Sequence, residues 1–290
     1  MGTKTLILLL KQQTTMRSIL ILFCVALFLN ACNSLNSGSS SSGSGSDSGL
    51  ELNLFPIDKD KELGNQVAGQ IANDSKNYPL LDEAKYAKAY SHIHRITNKI
   101  LNSGKLEHRN NFDWQVKLIQ DDKTLNAFCT PGGKIYVYTG LIKYLDAEDD
   151  LAGVMGHEIA HADKRHSTEA MTRDMGITTL LNIVAGQNQS MLITLAKNLS
   201  DLKYSRTHET EADAYSVQYL SGTNYKCNGA ASFFQKLQAA GGSKGPEFLS
   251  THPDPGNRIQ NITTQAKSKG CNTTVSASDA QYADFKSSLP

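Results

Sequence analysis

His157-Glu158-Ile159-Ala160-His161 sets two imidazoles one helical turn apart, with a carboxylate beside them. On a helix advancing ~100° per residue the two histidines point only about 40° apart, so both can reach one metal ion. Glu158 is rotated too far to join them as a ligand, but it can reach a water on the same ion. This is the layout of a zinc hydrolase, in which two histidines hold the metal and the glutamate takes a proton from the water. The competing explanation is a solvated helix that carries two histidines by chance. The flanking residues argue against it. Leu151, Val154, Met155 and Ile159 recur at helical spacing, and the acidic run from Asp146 to Asp150 suits a helix N-terminus.

Catalytic zinc takes three protein ligands and leaves one position open. A third histidine six residues after His161, with a glycine between, would complete one such set; those places hold Ser167 and Lys164. His166 is one residue short and falls on a different face. The search moves downstream, where Ser205 to Tyr215 reads as a second helix. Glu209 and Asp213 share one face of it, four residues apart, while Glu211 points away. An aspartate one turn beyond a carboxylate ligand can accept the outer N–H of a ligating imidazole and fix its tautomer. Alone, this stretch is an ordinary acidic helix. Paired with the first motif, it reads as the rest of a metal site.

Four landmarks then stand in order. Asn126-Ala127-Phe128 with Pro131 to Leu141 comes first, and His157 to His161 second. Ser205-Arg206 with Glu209, Ala212 and Asp213 is third, and Thr251-His252-Pro253 with Arg258 is last. The series resembles the gluzincin metallopeptidases of peptidase family forty-eight, which include the HtpX-type proteases and the CAAX prenyl proteases. That resemblance implies a zincin-like α+β fold, mainly helical, with a small sheet beside the active-site helix. It implies one zinc ion on His157, His161 and Glu209, with Glu158 as catalytic carboxylate and Asp213 behind the ligands. His252 would either block the metal or assist the reaction, and Arg258 would help to hold the oxyanion. Cys129 departs from the family pattern and leaves a thiol to explain.

The chemistry expected is hydrolysis of peptide bonds in protein substrates. Lys134 to Thr139 alternates and is rich in β-branched and aromatic residues, so it reads as a strand. As an edge strand it would pair with an extended substrate; Tyr136 and Tyr138 are assigned to sheet packing. The alternative function is a latent or non-proteolytic zinc lipoprotein that binds misfolded envelope proteins as a chaperone would. A prenyl-protein protease is disfavoured, since the chain lacks several membrane-spanning stretches.

Residues 1–31 read as an export signal. Lys4, Lys11 and Arg17 precede the apolar run Ile19 to Leu29, too short to span a bilayer. Leu29-Asn30-Ala31-Cys32 resembles a bacterial lipobox, which implies cleavage before Cys32 and a lipid anchor on it. Residues 32–55 are a linker, nearly all Ser and Gly from Asn36 to Gly49. The expected address is the bacterial cell envelope, on the periplasmic side and by Asn33 at the outer membrane. Losing the three cations turns the net charge from +1 to −2, so no basic surplus argues for nucleic acid.

Cys129, Cys227 and Cys271 remain, allowing one disulfide in three ways; Cys227–Cys271 is favoured because Cys129 sits in the expected active-site sheet. One enzyme domain is expected over 56–274, followed by a loosely held Ser-rich tail, 275–290. Helices are expected at 58–75, 82–102, 146–165, 167–185, 190–202, 207–220, 228–240 and 256–268, and strands near 113–120, 125–129 and 134–139. Gln187 to Tyr204, lying between the ligand motifs, is expected to shield the cleft.

Overall fold

Glu148–Asp163 forms the central helix, and all of its residues are buried. The computed structural model describes residues 53–240, 247–254, 256–274 and 279–290; the expected export signal, Cys32 and the Ser/Gly run lie outside them. In chain order the elements are α1 (Ile57–Asn73), α2 (Ala87–Leu101), β1 (Gln115–Ile119), β2 (Ala127–Thr130), β3 (Lys134–Tyr138), α3 (Thr139–Tyr144), α4 (Glu148–Asp163), α5 (His166–Met175), α6 (Ile177–Val184) and α7 (Gln189–Lys197). A short 3-10 turn, Leu199–Asp201, leads to α8 (Arg206–Leu220), α9 (Gly229–Ala239), α10 (Glu247–Thr251), α11 (Arg258–Ser268) and α12 (Asp279–Ser287). The fold is α+β and mostly helical, with one small sheet.

A helix buried on every side needs neighbours on every side, and α4 packs against the sheet, α8 and α9. Its acidic first turn is neutralised by partners rather than by solvent. Arg95 grips Glu148 through two nitrogens at 2.5 and 2.6 Å, and the Tyr225 hydroxyl donates to the same carboxylate. The Lys226 backbone N–H donates to Asp149. Close approach of α9 depends on Gly153, where a Cβ would lie 2.0 Å from the Ala230 nitrogen. Gly153→Ala is therefore expected to destabilise by about 3 kcal/mol, lowering the calorimetric melting temperature by roughly 6–12 °C. Gly69→Ala, where a Cβ meets nothing within 4 Å, serves as the neutral or slightly stabilising control.

The strand order is β1-β3-β2, with β3 parallel to β1 and antiparallel to β2. This corrects the edge-strand expectation for Lys134 to Thr139, because β3 is the centre strand and its backbone is bonded on both sides. Its five residues are all buried, so alternation marks two packed faces rather than one wet one. Val116, Leu118, Ala127, Cys129, Ile135 and Val137 join the core around α4. Phe128, Tyr136 and Tyr138 face a second cluster with Leu63, Val67 and Ile71, and Phe128 stacks on Tyr136 at 4.9 Å.

Two further expectations change. The single helix at 167–185 breaks at Gly176, whose φ of 80° an L-residue adopts only with strain. The end of the chain is not loose, for α12 packs on α2 with Tyr282 and Phe285 buried. The Tyr282 hydroxyl donates to the Ile142 carbonyl at 2.8 Å, so the folded domain extends past 274. The segment Gln187 to Tyr204 divides its contacts. α7 packs against α1 through Leu192, Leu195 and Ala196, the 3-10 turn packs against β2 and α10, and Tyr204 reaches the metal-ligand cluster. Cys227 and Cys271 are joined, with Cα atoms 6.3 Å apart, and Cys129 is a buried thiol. Among the described residues no helix is long and apolar enough to cross a membrane.

Candidate active site

Two helices bring the ligand residues together. α4 supplies His157, Glu158 and His161, while α8 begins at Ser205, whose hydroxyl accepts the His208 backbone N–H at 3.1 Å. That start turns Glu209 and Asp213 toward α4. His157, His161, Glu209 and His252 converge with their ligand atoms all within 4.8 Å of one another, and each is at most 1% exposed. The two histidine Nε2 atoms are 3.0 Å apart. Glu209 places Oε2 3.3 Å from Nε2 of His157 and Oε1 3.3 Å from Nε2 of His161. Donors about 2.0–2.1 Å from a shared ion at tetrahedral angles sit about 3.3 Å from each other, so these spacings fit zinc.

The outer contacts fit it too. Nδ1 of His157 lies 3.0 Å from Asp213 Oδ1, and a carboxylate only accepts, which leaves Nε2 bare in the neutral ring. Arg258 donates to Asp213 at 2.7 and 2.8 Å and to Glu209 at 3.0 Å. With the histidines neutral and the carboxylates ionised, Glu158, Glu209 and Asp213 outnumber Arg258 by two charges in a closed site. A divalent cation cancels that excess. Both oxygens of Glu158 are buried without a hydrogen-bond partner, although His252 Nε2 comes within 3.5 Å of one.

Metal-free, the cluster's electrostatics run against the usual values. Burial pulls the His157 imidazole down, but Asp213 and Glu209 outweigh it and raise its pKa to about 9. Burial drives His161 well below the ordinary histidine range, with only partial relief from Glu209. For Glu209, burial is overcome by the facing histidines and the carboxyl stays well below the usual range. Burial raises Glu158, the nearby histidine charges resisting it.

Sequence reasoning placed His157, His161, Glu209, Glu158, Asp213 and His252 in one site, and the structure brings all six together. Arg258 is there in another posture. It sits behind the ligands, 3% exposed, its guanidinium 4.0 Å over the Phe234 ring and engaged with two carboxylates. These contacts hold Asp213 and Glu209, while Nη1 is buried without a hydrogen-bond partner. Cys129, the unexplained thiol, lies 3.7 Å from Ser167 Oγ and 3.8 Å from Tyr204 Oη, and burial raises it far above the reactive range.

Three residues escaped the sequence reading. Tyr204 stacks on His161 at 3.9 Å, Phe248 stacks on His252 at 4.2 Å, and His166 contacts His161 and Glu211. The aromatic pair gave no signal at all. His166 had one, its nearness to the motif, but it was weighed only as a ligand.

The profile of Peptidase family M48 matches residues 87–266. The chain belongs to peptidase family M48. The chain is 32% identical to the mitochondrial metalloendopeptidase OMA1 of Arabidopsis thaliana, over 66% of this chain and 38% of that protein. It is 29% identical to the β-barrel assembly-enhancing protease of Escherichia coli K12, over 51% and 34%, and to that of Yersinia pestis, over 58% and 38%. The chain thus spans about a third to two fifths of the length of these relatives. Family M48 uses zinc, and the His-His-Glu cluster fits it.

Proposed function

We propose that this chain is a zinc-dependent endopeptidase of the bacterial cell envelope, tethered to a membrane through lipid on Cys32 and acting on unfolded proteins. One observation carries the enzymatic part: His157, His161 and Glu209 converge at zinc-ligand spacing with the unpartnered carboxylate of Glu158 beside them. Bound zinc supplies Lewis acidity, making water a nucleophile near neutral pH and polarising the substrate carbonyl. Glu158 takes the proton from the attacking water and passes it to the leaving amine. Asp213 holds the His157 tautomer, and Arg258 locks Asp213 and Glu209 in place. An extended substrate pairs with β2, whose partner among the described strands is β3 alone.

His252 supports a latent resting form of the same enzyme. Its Nδ1 lies 3.3 Å from His157 Nε2 and 3.0 Å from Glu209 Oε1, where it offers the metal a fourth donor. Export and anchoring are supported by the residue pattern ending in Cys32, and the Cys227–Cys271 bond suits an oxidising compartment. The bacterial relatives named for β-barrel assembly agree with an envelope address.

Metal removal tests the reading. Chelator-treated protein is expected to lose casein cleavage and to melt several degrees lower, and stoichiometric zinc is expected to restore both. Full cleavage by protein shown to be free of metal overturns it.

A further inference from the structure

His161 enters the cluster through Nε2, so its usefulness as a ligand is decided at its other nitrogen. That atom, Nδ1, lies 3.0 Å from Nδ1 of His166. His166 in turn places Nε2 3.3 Å from Oε2 of Glu211. Both rings are buried, at 0% and 1% exposure, whereas the Glu211 side chain is 39% exposed. The His166 ring is held by stacking on His208, with centroids 4.4 Å apart and planes 11° from parallel.

Proton placement follows from one end. A carboxylate accepts and does not donate, so His166 carries its proton on Nε2 and donates it to Glu211. Neutral His166 then presents a lone pair at Nδ1, which takes the Nδ1–H of His161. The lone pair of His161 is left on Nε2, facing His157 and Glu209. Asp213 does the same for His157 directly, in one step instead of two. A neutral imidazole can hold its proton on either nitrogen, and the wrong choice would put an N–H where a ligand atom is needed.

We infer that His166 and Glu211 form a positioning relay that holds His161 in its metal-binding tautomer, so that zinc affinity depends on two residues that do not touch the metal. The inference rests on His157, His161 and Glu209 being the zinc ligands. His166→Phe keeps the ring stacked on His208 and removes the acceptor. Glu211→Leu removes the acceptor that fixes the His166 proton on Nε2, at a side chain that is already 39% exposed.

The test is zinc affinity by competition with a chromophoric chelator, together with imidazole 15N spectra of the zinc-free protein. His166→Phe is expected to weaken zinc binding about 10–100-fold, and Glu211→Leu about tenfold. In the unaltered protein, His161 should carry its proton on Nδ1. Affinity within about twofold of the starting protein in either folded variant overturns the relay, as does a His161 proton on Nε2. If His166→Phe fails to fold, Glu211→Leu, changed at a partly exposed carboxylate, decides alone. His161→Ala separates the two layers of the argument: unchanged zinc affinity there overturns the ligand assignment rather than the relay.

Discussion

Glu158→Gln is expected to cut proteolysis by about 10²–10⁴-fold while zinc stays bound. The side chain is fully buried on α4, between the two histidines in sequence and within 3.5 Å of His252, and its oxygens have no hydrogen-bond partner to lose. Glutamine fills the same space, so packing is preserved and what disappears is a site for a proton. Burial already raises the carboxyl above its ordinary range, which brings a base nearer to the pH at which it works best. Metal content by elemental analysis and cleavage of an unfolded protein are the two measurements. Cleavage at the original rate, with zinc present, would remove Glu158 from the mechanism.

The opposite sign is expected for His252→Ala. A catalytic zinc needs a free position, and His252 reaches toward it from the end of α10, backed by Phe248. Withdrawing that donor should raise casein cleavage on the order of tenfold, the change produced when a competent form held near 10% becomes dominant. Zinc should remain on the other three residues. A fall in rate would instead assign His252 to the reaction, and Glu158→Gln combined with His252→Ala should be inactive under either outcome.

Much of this site was legible because its spacing is dictated by helix geometry. His157 and His161, and Glu209 and Asp213, are each four residues apart on helices that the apolar period also marks. What lay hidden was set by tertiary neighbours. The run from Lys134 to Tyr138 announces a strand but not its place in a sheet, and two apolar faces look alike whether the strand is central or at an edge. Tyr282, Phe285 and Leu289 are too sparse within a polar stretch to announce α12, yet they bury against α2 and α3 territory. Arg258 was recognised, but its partners were not, since Asp213 and Glu209 reach it from a helix 45 residues or more away. His166 stood five residues from a ligand. The outer partner of a histidine has no fixed spacing, so only the folded chain distinguishes it.

In the proposed latent form, with His157, Glu158, His161 and Glu209 buried and His252 among them, such a protease would be safe company for itself. Copies that collide would not nick each other's loops, and only a chain that first displaced His252 would meet the blade.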